Sequence, residues 1–366
     1  MRTVKRLIPT KLCATPLAHG TAREKSTLLG GRPRHLAGLR AFNTLFSAFP
    51  KPVEWRGHPL TLVGFTCESV EPRGLEVRLD RHRVRGCDGP MQMPCLFLIG
   101  LFLGGAVSAD SWKLVWSDEF DQDGAPDPAK WTYEEGFVRN RELQFYTKGR
   151  TENARVQNGN LILEARHEEF PNPRYQADAP ERRWQQNRQH AEYTSASLTT
   201  RGVASWTYGK IEVRAKLPSG RGTWPAIWTL GTNISEVGWP ACGEIDIMEH
   251  VGHEPDAVHA NVHTRGYNHN RGNGRGQRLA LPRVEQEFYV YAVEWSPEKL
   301  VFLVDHKPFF TLENDGTGVD SWPFDAPQYL ILNLAVGGSW GGAQGVDADV
   351  FPQRYIIDYV RVYQQP

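Results

Sequence analysis

Three carboxylates crowd one short segment, GEIDIMEH, from Gly243 to His250. Glu244 and Asp246 are two apart, so on a β-strand they share a face while Ile245 and Ile247 turn to the core. Glu249 is five residues from Glu244, and strict alternation would place it on the opposite face. One extra residue, a β-bulge near Met248, would bring all three acids to one face, and bulges commonly re-aim side chains beside active sites. Adjacent acids repel each other and raise at least one pKa, as a carboxylic acid requires to donate a proton near neutral pH. Paired carboxylates serve glycosidic bond cleavage most directly, one as nucleophile and one as acid/base. On spacing alone, a solvated acidic face or a calcium site competes with that reading.

The surroundings are aromatic. SGRGTWPAIWTLG (Ser219 to Gly231) precedes the acids, GWPACGEID overlaps them and VGGSWGG (Val336 to Gly342) follows. Trp224, Trp228, Trp239 and Trp340 thus sit among Gly and Pro, where a flat side chain can face a cleft. Sugar rings stack their C–H faces on indole, and their hydroxyls need polar partners such as Asn140, Glu142, His263 and Asn333. A core position is the competing reading for each Trp taken singly. The histidines at 259, 263 and 269 invite a metal reading, which is set aside because they have no Cys partners and no tight ligand spacing.

The elements that must position these residues are strands. Apolar and polar residues alternate in KIEVRAKL (Lys210 to Leu217), and similar runs are NLILEAR (Asn160 to Arg166), YVYAVEW (Tyr289 to Trp295), LVFLVD (Leu300 to Asp305), YLILNLAV (Tyr329 to Val336) and YIIDYVRVY (Tyr355 to Tyr363). Turn residues separate them, including Asn158-Gly159 and Pro218-Ser219-Gly220. The chain has 366 residues with 35 Gly, 25 Pro and 12 Trp, which argues against a helical bundle and for a β-sandwich or barrel. Two long segments, Glu168 to Gln189 and Thr264 to Arg278, are expected as loops.

Charge divides the chain. Lys+Arg and Asp+Glu number 42 each, yet residues 1–90 hold 16 basic and 7 acidic residues, a net +9 against −9 for the remainder. This balance and an 11% aromatic content exclude a nucleic-acid-coating protein and a disordered one. Residues 1–90 are expected to be a non-native or disordered basic extension. Residues 91–109 carry an apolar run from Cys95 to Val107, too short for a bilayer span and suited to a signal-peptide core, with Val107 and Ala109 at the −3 and −1 positions before Asp110. The expectation is a secreted or periplasmic catalytic domain over 110–366. Cys242 is then the lone cysteine after the cleavage point, so no internal disulfide is expected there.

At this point a family resemblance can be stated. WKLVWSDEF, NRELQFYT, YTSASLTTRG, YGKIEVRAKLPSGRGTWPAIWTLG, GWPACGEIDIMEH, YLILNLAVGGSWGG and IIDYVRVY resemble glycoside hydrolase family 16, above all its bacterial endo-β-1,3-glucanases, from about Trp112 to Tyr363. The resemblance implies an all-β jelly-roll sandwich of two antiparallel sheets, a concave glycan cleft and a retaining double displacement. It implies Glu244 as nucleophile, Asp246 as the carboxylate that tunes it and Glu249 as acid/base, with His263 in the cleft. It also implies a structural calcium site on Glu119, Gly159 and Asp358, with no cofactor required for the reaction. The implied partner is a polysaccharide, with no nucleic acid and no membrane after signal cleavage, bound by a monomer.

Two departures bear on substrate. Arg139 precedes Asn140-Arg141-Glu142 where many laminarinases have Gly, and Ser195-Ala196-Ser197-Leu198 stands for S-A-R-L. Arg265, Arg271, Arg275 and Arg278 could contact sulfate on an algal galactan, against a solvated basic loop as the plainer reading. The alternatives to a β-1,3- or mixed-linkage glucanase are therefore a hydrolase of agarose, porphyran or carrageenan, and a transglycosylase. A glycan-binding protein without activity is disfavoured by the intact Glu244, Asp246 and Glu249.

Overall fold

The structure is a computed structural model that describes residues 112–366. The expected basic extension and signal segment, with Cys13, Cys67, Cys87 and Cys95, lie outside the described residues.

Every alternating run named above is a strand. Gly209–Lys216 is central to a sheet of ten strands, paired on one side with Tyr289–Trp295 and on the other with Gln353–Gln364. The far edge of Gln353–Gln364 takes Asn160–Pro171 along its first half and Lys113–Asp118 along its second. A second sheet of seven strands runs in the spatial order Arg275–Ala280, Ala257–His263, Glu244–Glu249, Thr223–Gly231, Gln328–Val336, Ser197–Thr199, Thr132–Tyr133. Neighbours pair antiparallel, except Gln144–Tyr146 against His190–Ser195, which is parallel.

The core lies between the sheets. Leu161, Leu163, Val213 and Ala215 from the larger sheet meet Ile227, Ile245, Leu330, Leu332 and Leu334 from the smaller one, all buried. Each buried Leu or Ile stabilises by about 1.5–3 kcal/mol relative to exposure. The outer face of the smaller sheet carries a separate apolar group, Ala226, Trp228, Leu230, Tyr329 and Ile331. That face also carries the three acids.

The two expected loops are shorter than the sequence suggested. Asn160–Pro171 runs on into the first because Arg166 to Pro171 pair with the 190–194 strand, and a short helix, Trp184–Asn187, follows. Arg275–Ala280 ends the second as an edge strand against Ala257–His263. Its residues are mostly exposed, so no apolar alternation marks it, and its arginines discourage pairing with another chain. Among the described residues, no helix is long and apolar enough to cross a membrane.

Candidate active site

The bulge is present. Against the tryptophan-bearing strand, Asp246 faces Trp228 while Met248 faces Ile227 and Glu249 faces Ala226, so the register slips by one residue. The same slip occurs on the other edge, where Asp246 faces Asn261 and Glu249 faces His259. Ile247 and Met248 both enter the core between the sheets, at 2% and 1% exposure, which two successive residues of a regular strand cannot do. Glu249 is thereby returned to the face of Glu244 and Asp246.

Two indole N–H groups hold the outer acids. Trp239 Nε1 donates to Glu244 Oε2 at 2.8 Å, and Trp224 Nε1 donates to Glu249 Oε1 at 3.1 Å. Glu249 also accepts from Asn261 Nδ2 at 2.7 Å. Asn261 reaches it across Gly276, the opposite residue on the edge strand, where a Cβ would come 2.1 Å from Asn261 Oδ1. Asn261 was not singled out from sequence, although it is two residues before His263 and alternation places both on one face.

His263 sits against the other two acids, its Nε2 3.3 Å from Asp246 Oδ2 and 3.8 Å from Glu244 Oε1. Its ring lies beside that of His269, 4.9 Å between centres, and His269 in turn packs on Trp239 at 5.3 Å. The expected second loop thus brings His269 to the site. Burial and His263 hold the His269 pKa below its usual value.

Burial dominates the electrostatics. It pushes Glu244 up to about 8, helped by Asp246 and Glu249 and opposed by His263 and the Trp239 N–H. Asp246 goes well above the usual carboxylate range for the same reason, with Glu249 adding to the rise. Adjacent carboxyls share protons as a group. Asp246 is the deepest of the three, at 3% exposure, and burial pushes both it and Glu244 toward the protonated form.

The remaining expected residues divide. Trp340 packs edge-on against Trp224 at 5.6 Å and against His259 at 4.9 Å, so it stands on the Glu249 side. Trp239, 37% exposed, offers a ring on the Glu244 side. Trp228 and Asn333 are buried beside the acids instead: Trp228 Nε1 donates to Asn333 Oδ1 at 2.7 Å, and Asn333 Nδ2 donates to Tyr146 Oη at 3.0 Å. The guanidinium of Arg139, the departure noted above, lies over the Trp228 ring, 4.8 Å from its centre, and pairs with Glu134. Asn140 has a left-handed backbone, φ 54°, a conformation Asn tolerates, and donates to Glu142 Oε1 at 3.3 Å. Burial raises the pKa of Glu142. Asn140 also lines an open cavity of about 610 Å³ with Arg141, Tyr193 and Ser339.

Of the arginines weighed for sulfate, Arg278 pairs with Glu254 and Arg265 lies 3.4 Å from Asp320, while Arg275 lies over the Tyr267 ring. Glu119 and Gly159 each adjoin a strand that pairs with Gln353–Gln364, the strand that carries Asp358. Residues 118 and 161 pair with 360 and 357, and Asp358 is an extra residue in the register with Gly209–Lys216. The Asp358 carboxylate accepts from Arg214 at 2.6 Å. Cys242 is free and buried, its thiol pushed up to about 11 by burial and by Glu244.

Comparison with known proteins is consistent with this geometry. The model of glycosyl hydrolases family 16 matches residues 141–361. The β-glucanase of Rhodothermus marinus is 50% identical over 279 residues, covering 73% of this chain and 91% of the relative. The X-ray structure of the laminarinase from Rhodothermus marinus superposes with a TM-score of 0.63 at 49% identity, over 70% of this chain and 98% of that one. A mutant of SCLam, a non-specific endo-β-1,3(4)-glucanase, superposes with a TM-score of 0.62 at 45% identity, over 69% and 95% of the two chains. It was co-crystallised with 1,3-β-D-cellotriosyl-glucose and presents 1,3-β-D-cellobiosyl-glucose at its active site.

Proposed function

The chain belongs to glycosyl hydrolase family 16, and from that membership we propose that it is an exported endo-β-1,3-glucan hydrolase acting by retaining double displacement. It is a glycoside hydrolase, with relatives named for β-1,3-glucan and for β-1,3(4)-glucan cleavage. The observation that carries the mechanism is the bulge, which aims Glu244 and Glu249 from one face with the buried Asp246 between them.

Each group then has a task. Ionised Glu244, oriented by the Trp239 N–H, attacks the anomeric carbon. Glu249, fixed by Trp224 and Asn261, gives its proton to the departing glycosidic oxygen. Water, deprotonated by the same Glu249, then releases the glycosyl unit from Glu244 with overall retention. Asp246, holding its proton, keeps negative charge off the position beside the nucleophile. Trp239 and Trp340 flank the acids on opposite sides and offer ring faces for glucosyl units.

A galactan substrate is less well supported, because the arginines that would read sulfate already have protein partners in three cases of four. Export rests on the apolar run from Cys95 to Val107 and the small residues before Asp110. The chain would act as a monomer. A structural calcium ion would take the carbonyls of Glu119 and Gly159 and the carboxylate of Asp358. The strands adjoining Glu119 and Gly159 pair with the one that carries Asp358, and Arg214 would have to release that carboxylate. A melting temperature unchanged by added calcium would dismiss it.

The deciding assay offers laminarin, mixed-linkage barley glucan, agarose and carrageenan side by side and sizes the products, with Glu244→Gln as the inactive control. Short oligosaccharides from laminarin are expected, with the β-anomer appearing first by NMR. Release from a galactan alone would overturn the substrate class, and an α-anomer first would overturn retention.

A further inference from the structure

The catalytic acids and His263 have a second chemical property. Donor atoms of Glu244, Asp246 and His263 all lie within 4.8 Å of one another. Zinc bonds of about 2.0–2.2 Å at tetrahedral angles put neighbouring donor atoms roughly 3.3–3.6 Å apart. The His263 Nε2 separations of 3.3 Å from Asp246 Oδ2 and 3.8 Å from Glu244 Oε1 fall on or beside that spacing.

An independent observation points to a ligand. Asp246 Oδ2, which faces His263, is sealed from solvent and has no hydrogen-bond partner among the described residues, on a side chain only 4% exposed. His263 Nδ1, on a residue 9% exposed, is likewise unpartnered. Buried polar atoms without partners are uncommon, and each calls for a reason. A neutral imidazole with two carboxylates is a donor set that zinc takes readily, leaving a fourth position for water. Calcium, which wants six to eight oxygens, does not suit it.

We propose that Glu244, Asp246 and His263 form a reversible zinc site through Oε1, Oδ2 and Nε2, and that zinc inhibits the enzyme by occupying its nucleophile. Binding needs both carboxylates ionised and the imidazole neutral, and any protons these groups carry are released to solvent. The inhibitory consequence rests on the reading of Glu244 as nucleophile, whereas the binding itself does not.

Calorimetric titration of the full chain with zinc chloride tests the site without recourse to turnover. One ion per chain is expected, and His263→Gln should weaken it by roughly tenfold or more through loss of a ligand. Asp246→Asn makes the same test should His263→Gln not fold. His259→Gln should leave the affinity unchanged, since His259 belongs to the separate pair with Glu254, at 2.9 Å. In kinetics on laminarin, zinc should raise the apparent KM and leave kcat intact, and a chelator should reverse the effect. Equal zinc affinity in His263→Gln and the parent chain would overturn the site, as would loss of binding in His259→Gln alone. A fall in kcat at constant KM would overturn occupancy of the nucleophile. A chain that binds zinc through His263 and leaves laminarin intact would overturn the β-1,3-glucan substrate and keep the metal site.

Discussion

Replacing Trp239 with Phe removes one hydrogen atom of consequence, the indole N–H that Glu244 Oε2 accepts at 2.8 Å. The aromatic face stays, so stacking of a glucosyl unit is largely kept. A hydrogen bond to a charged group is worth about 1.5–3 kcal/mol, and one pKa unit corresponds to about 1.36 kcal/mol. Full loss would therefore raise the pKa of Glu244 by roughly one to two units. Trp239 is 37% exposed, and water can replace part of the bond, so the lower end applies. The sign follows from the charge: the donor favours the ionised form, and without it Glu244 holds its proton to higher pH. Burial has already pushed that group up to about 8. The acid limb of kcat/KM should accordingly move about one pH unit upward. Below the limb, Trp239→Phe should be about tenfold slower than the parent, with the gap narrowing on the alkaline side. The assay is a pH series of initial rates on laminarin at substrate well below KM. An acid limb that stays in place, with the whole loss in KM, would refute the reasoning and make Trp239 a platform alone.

Two further outcomes follow from the packing. Deleting Met248 should remove the bulge, turn Glu249 to the core side by strand parity and abolish turnover in a chain that still shows a β-rich spectrum; near-parental activity would remove the bulge from the account. Glu164, 1% exposed, is bonded to Arg155 and Arg354 at 2.8 and 2.9 Å and paired with Arg166, so Glu164→Gln should cost about 3 kcal/mol by leaving those cations under-compensated, a fall in Tm of roughly 6–12 °C. Burial opposes the Glu164 charge, but Arg155 and Arg354 outweigh it and lower its pKa, so this stability is complete above about pH 4.3 and is lost as pH falls through the depressed value. Thermal unfolding of both proteins at pH 7 and near pH 3 checks the sign, because a difference that grew on acidification would contradict it.

How much was legible in residues alone differs from one part of the molecule to another. Runs such as Lys210 to Leu217 read as strands because one face is buried and a period of two survives there, whereas Tyr329 to Val336, buried on both faces, reads as a nearly continuous apolar run. Arg275–Ala280 did not read so, because an exposed edge imposes no apolar period. The bulge was legible for a related reason: acids at 244, 246 and 249 can share a face only if one residue is extra, and Ile247 and Met248 in the core are that residue's mark. Trp224, Trp239 and His263 were found by type and neighbourhood, and each touches an acid.

Composition and spacing therefore determined the β-architecture, the acid face and the class of chemistry, since these depend on local alternation and on residue types close along the chain. Tertiary structure alone decided which partners close on the acids. Asn261 bonds to Glu249 because Gly276 on a different strand makes room, and His269 reaches Trp239 because the segment that carries it folds back over the sheet. Arg139 lies on Trp228 although 89 residues separate them, and Trp228 is buried where its surroundings in sequence suggested a cleft. Such contacts carry no local period, because they are set by pairing between strands distant in sequence and by the space that neighbouring side chains leave.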